Sequence, residues 1–82
     1  MSEADEMLEE LGYEKIEEDK RYLRYSTDGS YGEHIDFDLK LKRVRCTRVS
    51  EQLNTHFKYI TLDDLKAINK KVEELQWIEI TK

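Results

Sequence analysis

Eighty-two residues with 14 Lys/Arg against 19 Asp/Glu, a formal charge of −5, make one domain, because chains divide into several cores only beyond about 250 residues. The acidic balance argues against general attraction to nucleic acid, no run approaches the roughly 18 apolar residues of a membrane span, and the acidic N-terminus lacks the basic and apolar regions of a secretory signal. A single Cys46 excludes an internal disulfide and a cysteine-rich zinc site, so a cytoplasmic, reduced and unanchored chain is expected.

A charged fraction of 40% would suit a disordered segment, yet the apolar residues recur with clear period and proline is absent. Residues 2–11 predict a helix. Ser2 and Asp5 form a near capping box, and Ala4, Met7, Leu8 and Leu11 make one apolar stripe. Glu3, Asp5 and Glu6 crowd the first turn, where the helix dipole favours negative charge. Gly12 stands where a glycine ends a helix.

Residues 13–18 and 21–27 carry the strand formers Tyr13, Ile16, Tyr22, Leu23 and Tyr25. Residues 28–32 make a turn by composition, with Gly29 and Gly32 available for positive φ. Ile35, Phe37, Leu39 and Leu41 then alternate with His34, Asp36, Asp38 and Lys40, the pattern of a half-buried strand. Residues 43–49 continue it, with Val44 and Cys46 between Arg43, Arg45 and Arg48. Three consecutive hairpins make an antiparallel meander.

A loop at 28–32 that sets Thr27 opposite Glu33 pairs Tyr25 with Ile35, Leu23 with Phe37 and Arg24 with Asp36. A turn at Lys40 and Leu41 pairs Phe37 with Val44, Ile35 with Cys46, Asp36 with Arg45 and Asp38 with Arg43. A turn at Asp19 and Lys20 sets Ile16 opposite Leu23. This register gives an apolar row Ile16–Leu23–Phe37–Val44, and an outer row with Asp36 between two arginines. Such cross-strand pairs contribute roughly 0.2–1 kcal/mol each.

Residues 49–60 have no period and predict a loop, with a turn of helix or a brief edge strand around Phe57 and Tyr59. Thr61 is a good N-cap, with Asp63 and Asp64 in the first turn of a last helix. Leu62, Leu65, Ile68, Val72 and Leu75 are its expected buried face. Trp77, Ile78 and Ile80 form a tail too apolar for water, one that packs on the sheet or meets a partner. The expected fold is α+β, a four- or five-stranded antiparallel meander with both helices on one face.

The stretches ADEMLEELGYEK (residues 4–15) and ITLDDLKAINKKVEELQW (residues 60–77) resemble the ends of a family of small uncharacterised proteins of Gram-positive bacteria and their phages or prophages. Gln76 stands where that pattern usually has glycine. The resemblance implies an accessory protein of phage or prophage type acting in a bacterial cell. The family carries no established activity, so it transfers no site residue.

His34, Asp36 and Asp38 on one strand face have the ligand types of a divalent cation site. Arg24, Arg43 and Arg45 beside them would repel a cation, and a salt-bridged face with no metal is expected. Cys46 with His34 or His56 would suit a nucleophile and base, but Cys46 and His34 fall on opposite faces. Ser26, Ser30 and Ser50 have no nucleophile-elbow context, and three glycines are too few for a phosphate loop. No catalytic group and no cofactor is expected, so the chain reads as a non-enzyme.

Charge segregation is the strongest remaining feature. Residues 1–19 hold nine carboxylates against Lys15, and residues 40–48 hold Lys40, Lys42, Arg43, Arg45 and Arg48 without an acid. Glu6, Glu9, Glu10, Glu17 and Glu18 could present spaced carboxylates to a basic groove on a host or phage protein, imitating a nucleic-acid backbone. Alternatively, Lys42, Arg43, Arg45 and Arg48 hold phosphates, with Tyr22 or Tyr31 stacking on bases. Against both stands a solvated helix face, and arginines that pair with Asp36 and Asp38. A homodimer has two routes: the apolar residues Phe57, Tyr59, Trp77, Ile78 and Ile80, or an open edge at the fourth strand or residues 57–60.

Overall fold

A computed structural model describes residues 2–77. The chain is α+β: helix α1 (Glu3–Glu10), strands β1 (Glu14–Glu18), β2 (Tyr22–Asp28), β3 (Tyr31–Asp38), β4 (Arg43–Val49) and β5 (Thr55–Phe57), then helix α2 (Leu62–Glu74). The strands form one antiparallel sheet in sequence order. Both helices pack on one face, around a core of Leu8, Tyr13, Leu23, Tyr25, Ile35, Phe37, Ala67 and Ile68.

Local chemistry sets the helix ends. The Ser2 hydroxyl accepts from the Asp5 N–H, and Thr61 with Asp64 forms a full capping box. Gly12 turns out of α1 at φ +93°, where any side chain would be strained. The N–H of Tyr13 then returns to the Leu8 carbonyl at 2.9 Å. Ala4 and Ala67 are fully buried, and α1 crosses α2 through contacts that small residues permit. Tyr25 and Phe37 meet edge to face at 5.8 Å. Trp77 packs on Phe37 at 6.3 Å and so closes the core, while Ile78 and Ile80 lie outside the described residues.

The expected register of the two central hairpins is the observed one: Leu23–Phe37, Arg24–Asp36, Tyr25–Ile35, Ile35–Cys46, Asp36–Arg45, Phe37–Val44 and Asp38–Arg43 are all opposite pairs. The first turn is tighter than expected, because β3 already begins at Tyr31 and bulges so that Gly32 and Glu33 together stand opposite Thr27. Gly32 makes the tightness possible: a Cβ there would lie 2.6 Å from the Thr27 hydroxyl, at a backbone φ of +77°.

Two expectations about the apolar rows fail. Ile16 does not face Leu23, because a bulge falls between Lys15 and Glu17 and leaves Ile16 unpaired and exposed. Glu18 takes the place opposite Leu23, and Lys15 comes opposite Tyr25, on the helix side, where it reaches Asp5. In α2, Leu62 and Leu65 are exposed, and the buried line is Asp64, Ala67, Ile68 and Lys71. The helix is rotated to bring one carboxylate and one ammonium inward, and both find partners there. Residues 55–57 form a strand, which resolves the segment without period into a fifth, edge position.

The bulge has a measurable consequence. Ile16→Ser should change stability to urea by no more than about 0.5 kcal/mol, whereas Leu23→Ala should cost about 2–5 kcal/mol.

Candidate functional site

The sheet face away from the helices is a charged lattice. Asp36, nearly inaccessible, accepts from Arg24 Nε at 2.7 Å and from Arg45 Nη2 at 2.9 Å. Asp38 accepts from the backbone N–H of Lys40 and Leu41 and from Arg43 Nε, with Arg21 3.7 Å away. The Leu41 N–H first of all, together with Arg21 and Arg43, holds the Asp38 carboxyl below its ordinary value against the opposing effect of burial. His34 is buried on the same face, with Nε2 3.0 Å from the carbonyls of Gly29 and Tyr31. Carbonyls only accept, so that nitrogen carries a proton and cannot ligate a metal. Among the described residues no group of three His, Cys, Asp or Glu is placed to hold a metal ion. A depression of about 400 Å³ opens over this face, lined by Tyr22, Asp36, Asp38, Arg43, Arg45 and Phe57 among others.

Two buried polar clusters tie the helices to the sheet. In the first, Asp5 Oδ1 accepts from the Tyr25 hydroxyl at 2.6 Å and from the Lys71 ammonium at 3.1 Å. Burial raises the Asp5 pKa, but hydrogen bonds from Tyr25 and Lys71 outweigh it, and the carboxyl ends below its ordinary value. Burial, reinforced by Asp5, pushes the Tyr25 hydroxyl far up. In the second, the Lys58 ammonium donates to the Tyr13 hydroxyl at 2.6 Å and lies 3.6 Å from Asp64 and 3.5 Å from Glu33. Burial draws the Lys58 pKa down, but Tyr13, Asp64 and Glu33 more than restore it. Burial also raises the Tyr13 pKa, with Lys58 opposing.

Sequence reasoning missed both clusters. Asp64 and Lys71 stand seven residues apart on the face that also carries Ile68, so a charged pair on an apolar stripe was a usable signal. Lys58 gave none, because it lies in the segment without period.

The proposed acidic residues do not all share one surface. Glu6, Glu9 and Glu10 are exposed on α1. Glu17 pairs opposite Arg24 on the outer face, while Glu18 pairs opposite Leu23 on the helix side and meets Lys15 at 3.4 Å. Glu14, which was not singled out, joins Glu9, Asp5, Tyr13, Lys15 and Tyr25 around a groove of about 520 Å³ between α1 and β1. The basic set is divided further. Arg43 and Arg45 lie on the outer face, Arg48 on the helix side 3.3 Å from Glu33, and Lys42 in the β3–β4 turn at φ +53°. Strand alternation separates residues that a linear count puts together. Cys46 is half-buried opposite Ile35, and burial pushes its thiol pKa up.

No family model matches the sequence, and neither a curated protein nor a solved structure matches it. Among the described residues no helix is long and apolar enough to cross a membrane.

The Asp5 cluster should show in acid. With its folded pKa below the unfolded one, the stabilisation is complete above about pH 4 and is lost as pH falls through the folded value. Urea titrations at a series of pH values should show a shallower acid limb for Asp5→Asn than for the parent chain.

Proposed function

We propose that the chain is a small non-enzymatic accessory protein of phage or prophage type. It acts inside the bacterial cell by binding a basic surface of another protein through the acidic face of α1 and β1. One observation carries this reading. Glu6, Glu9, Glu10 and Glu14 are exposed and have no ion pair among the described residues, whereas Arg43, Arg45 and Arg48 are each engaged by a carboxylate of β3. Unanswered carboxylates keep their field for a partner; paired arginines have spent most of theirs. The groove beside Glu9 and Glu14 has the size and sign for a lysine or arginine side chain. The resemblance of the two chain ends supports the phage context.

A second reading rests on the outer sheet face. The Arg43 and Arg45 side chains remain 67% and 55% exposed despite their ion pairs, and Tyr22 and Phe57 flank them around the depression. An open face with arginines and aromatic rings suits a single-stranded nucleic acid. Lys42 is the one nominated cation without a carboxylate partner among the described residues.

Capture from bacterial lysate separates the two. A protein partner should be retained by the parent chain and by the Arg43→Ala/Arg45→Ala/Arg48→Ala variant. It should be released by added salt and lost with Glu6→Lys/Glu9→Lys/Glu10→Lys. A partner that survives the lysine changes overturns the acidic-face proposal. A single-stranded oligonucleotide held at low salt and lost with the alanine changes establishes the second reading instead.

A further inference from the structure

The two edges of the sheet are finished in opposite ways. β1 reads Glu-Lys-Ile-Glu-Glu and carries a bulge, the charged and irregular edge that resists pairing with another strand. β5 reads Thr-His-Phe, is regular and has every side chain exposed. From residue 52 to residue 62 the only Lys, Arg, Asp or Glu is Lys58, and its side chain is 4% exposed, turned inward onto Tyr13 and Asp64. On a chain so rich in charge, this leaves an uncharged border. Phe57 is 85% and Tyr59 100% exposed, and Ile60 follows them, 40% exposed.

The backbone of that border is also committed. Ser50 N–H donates to the Asn54 carbonyl at 3.0 Å, and Lys58 N–H to the Cys46 carbonyl at 3.4 Å. Residues 54, 56 and 58 therefore spend their backbone groups on β4. By alternation, Thr55 and Phe57 turn their N–H and C=O groups to the side that no strand among the described residues covers.

We propose that β5 pairs with β5 of a second copy, antiparallel, across a two-fold axis at His56. Thr55 of each copy then faces Phe57 of the other, so that every outward N–H and C=O of these two residues finds a partner. The two Phe57 rings lie diagonally across the seam, on the order of 7–8 Å apart and within reach of one another. Aromatic side chains cover about 150–250 Å² each. With part of Ile60 added, each copy contributes roughly 350–550 Å², so the pair lies below the standard interface size and associates weakly and reversibly. Such an area is within the range of the largest apolar patch on a monomer, which often serves an interaction. A second copy is the fitting occupant because each carries a charge of −5, and this seam is the border along which two acidic chains approach without opposing carboxylates. Assembly stops at two, since β1 repels its own kind. The seam is independent of the acidic face proposed above.

Sedimentation equilibrium tests the assignment over roughly 1–500 μM protein. The parent chain should be a dimer that added salt does not weaken. Phe57→Lys should dissociate at least about tenfold more readily, with its circular dichroism unchanged because Phe57 touches little of its own chain. Thr55→Pro should do the same, since it removes an N–H directed outward and leaves the β4 ladder intact. A parent chain monomeric throughout overturns the proposal, as does a dimer that both changes leave intact. A monomer that instead takes up an extended synthetic peptide at this edge assigns the seam to a foreign strand and also overturns it.

Discussion

A carboxylate in the middle of a sheet has to be answered from both sides. Asp36 lies on the central strand, nearly inaccessible, and Arg24 and Arg45 reach it from the strands on either flank. Its neighbours in sequence, Ile35 and Phe37, are fully buried on the opposite face. A slip of one residue would drive the carboxylate into the core and the aromatic ring into water, so one arrangement of β2, β3 and β4 is strongly favoured. A buried carboxylate answered by two partly exposed arginines is weak ground for stability in itself; what it supplies here is registration. The helices, the border strands and both charged surfaces are hung on that frame.

The frame was legible because two independent patterns agree on it. Alternation from His34 to Leu41 gives the faces, and the acid–arginine positions give the offsets. Where only one pattern is present, the sequence misleads. Ile16 is the one apolar residue between Tyr13 and Tyr22 and stands out of alternation with Tyr13, and a bulge sends it to solvent and brings Lys15 to Asp5. Leu62 and Leu65 obey helical spacing, but their helix turns its Asp64 and Lys71 inward. A hydrophobic count cannot anticipate that choice without knowing that Lys58 and Asp5 wait on the other side.

The candidate surfaces were legible as composition but not as geometry. Nine carboxylates near the start of the chain remain mostly on the outside, though Asp5 belongs to the interior and Glu14 to the groove. Five cations near the middle are dealt alternately to two faces and a turn, and most meet a carboxylate one strand away. Polarity in this molecule is thus sorted by pairing. Charges that can be matched within the sheet or between the helices are matched there, and Glu6, Glu9 and Glu10 on α1 are left over among the described residues.

The clasp between the two helices bears on how the chain folds. The Ala4 N–H is received by Glu74 at 2.9 Å, Lys70 reaches Glu3 at 3.1 Å, and Lys71 reaches Asp5 at the same distance. The first helix is therefore held by residues some seventy positions later. Eight residues are too few for a helix to persist unaided in water. α1 completes its contacts only once α2 is in place, and contacts of such sequence separation close late in folding.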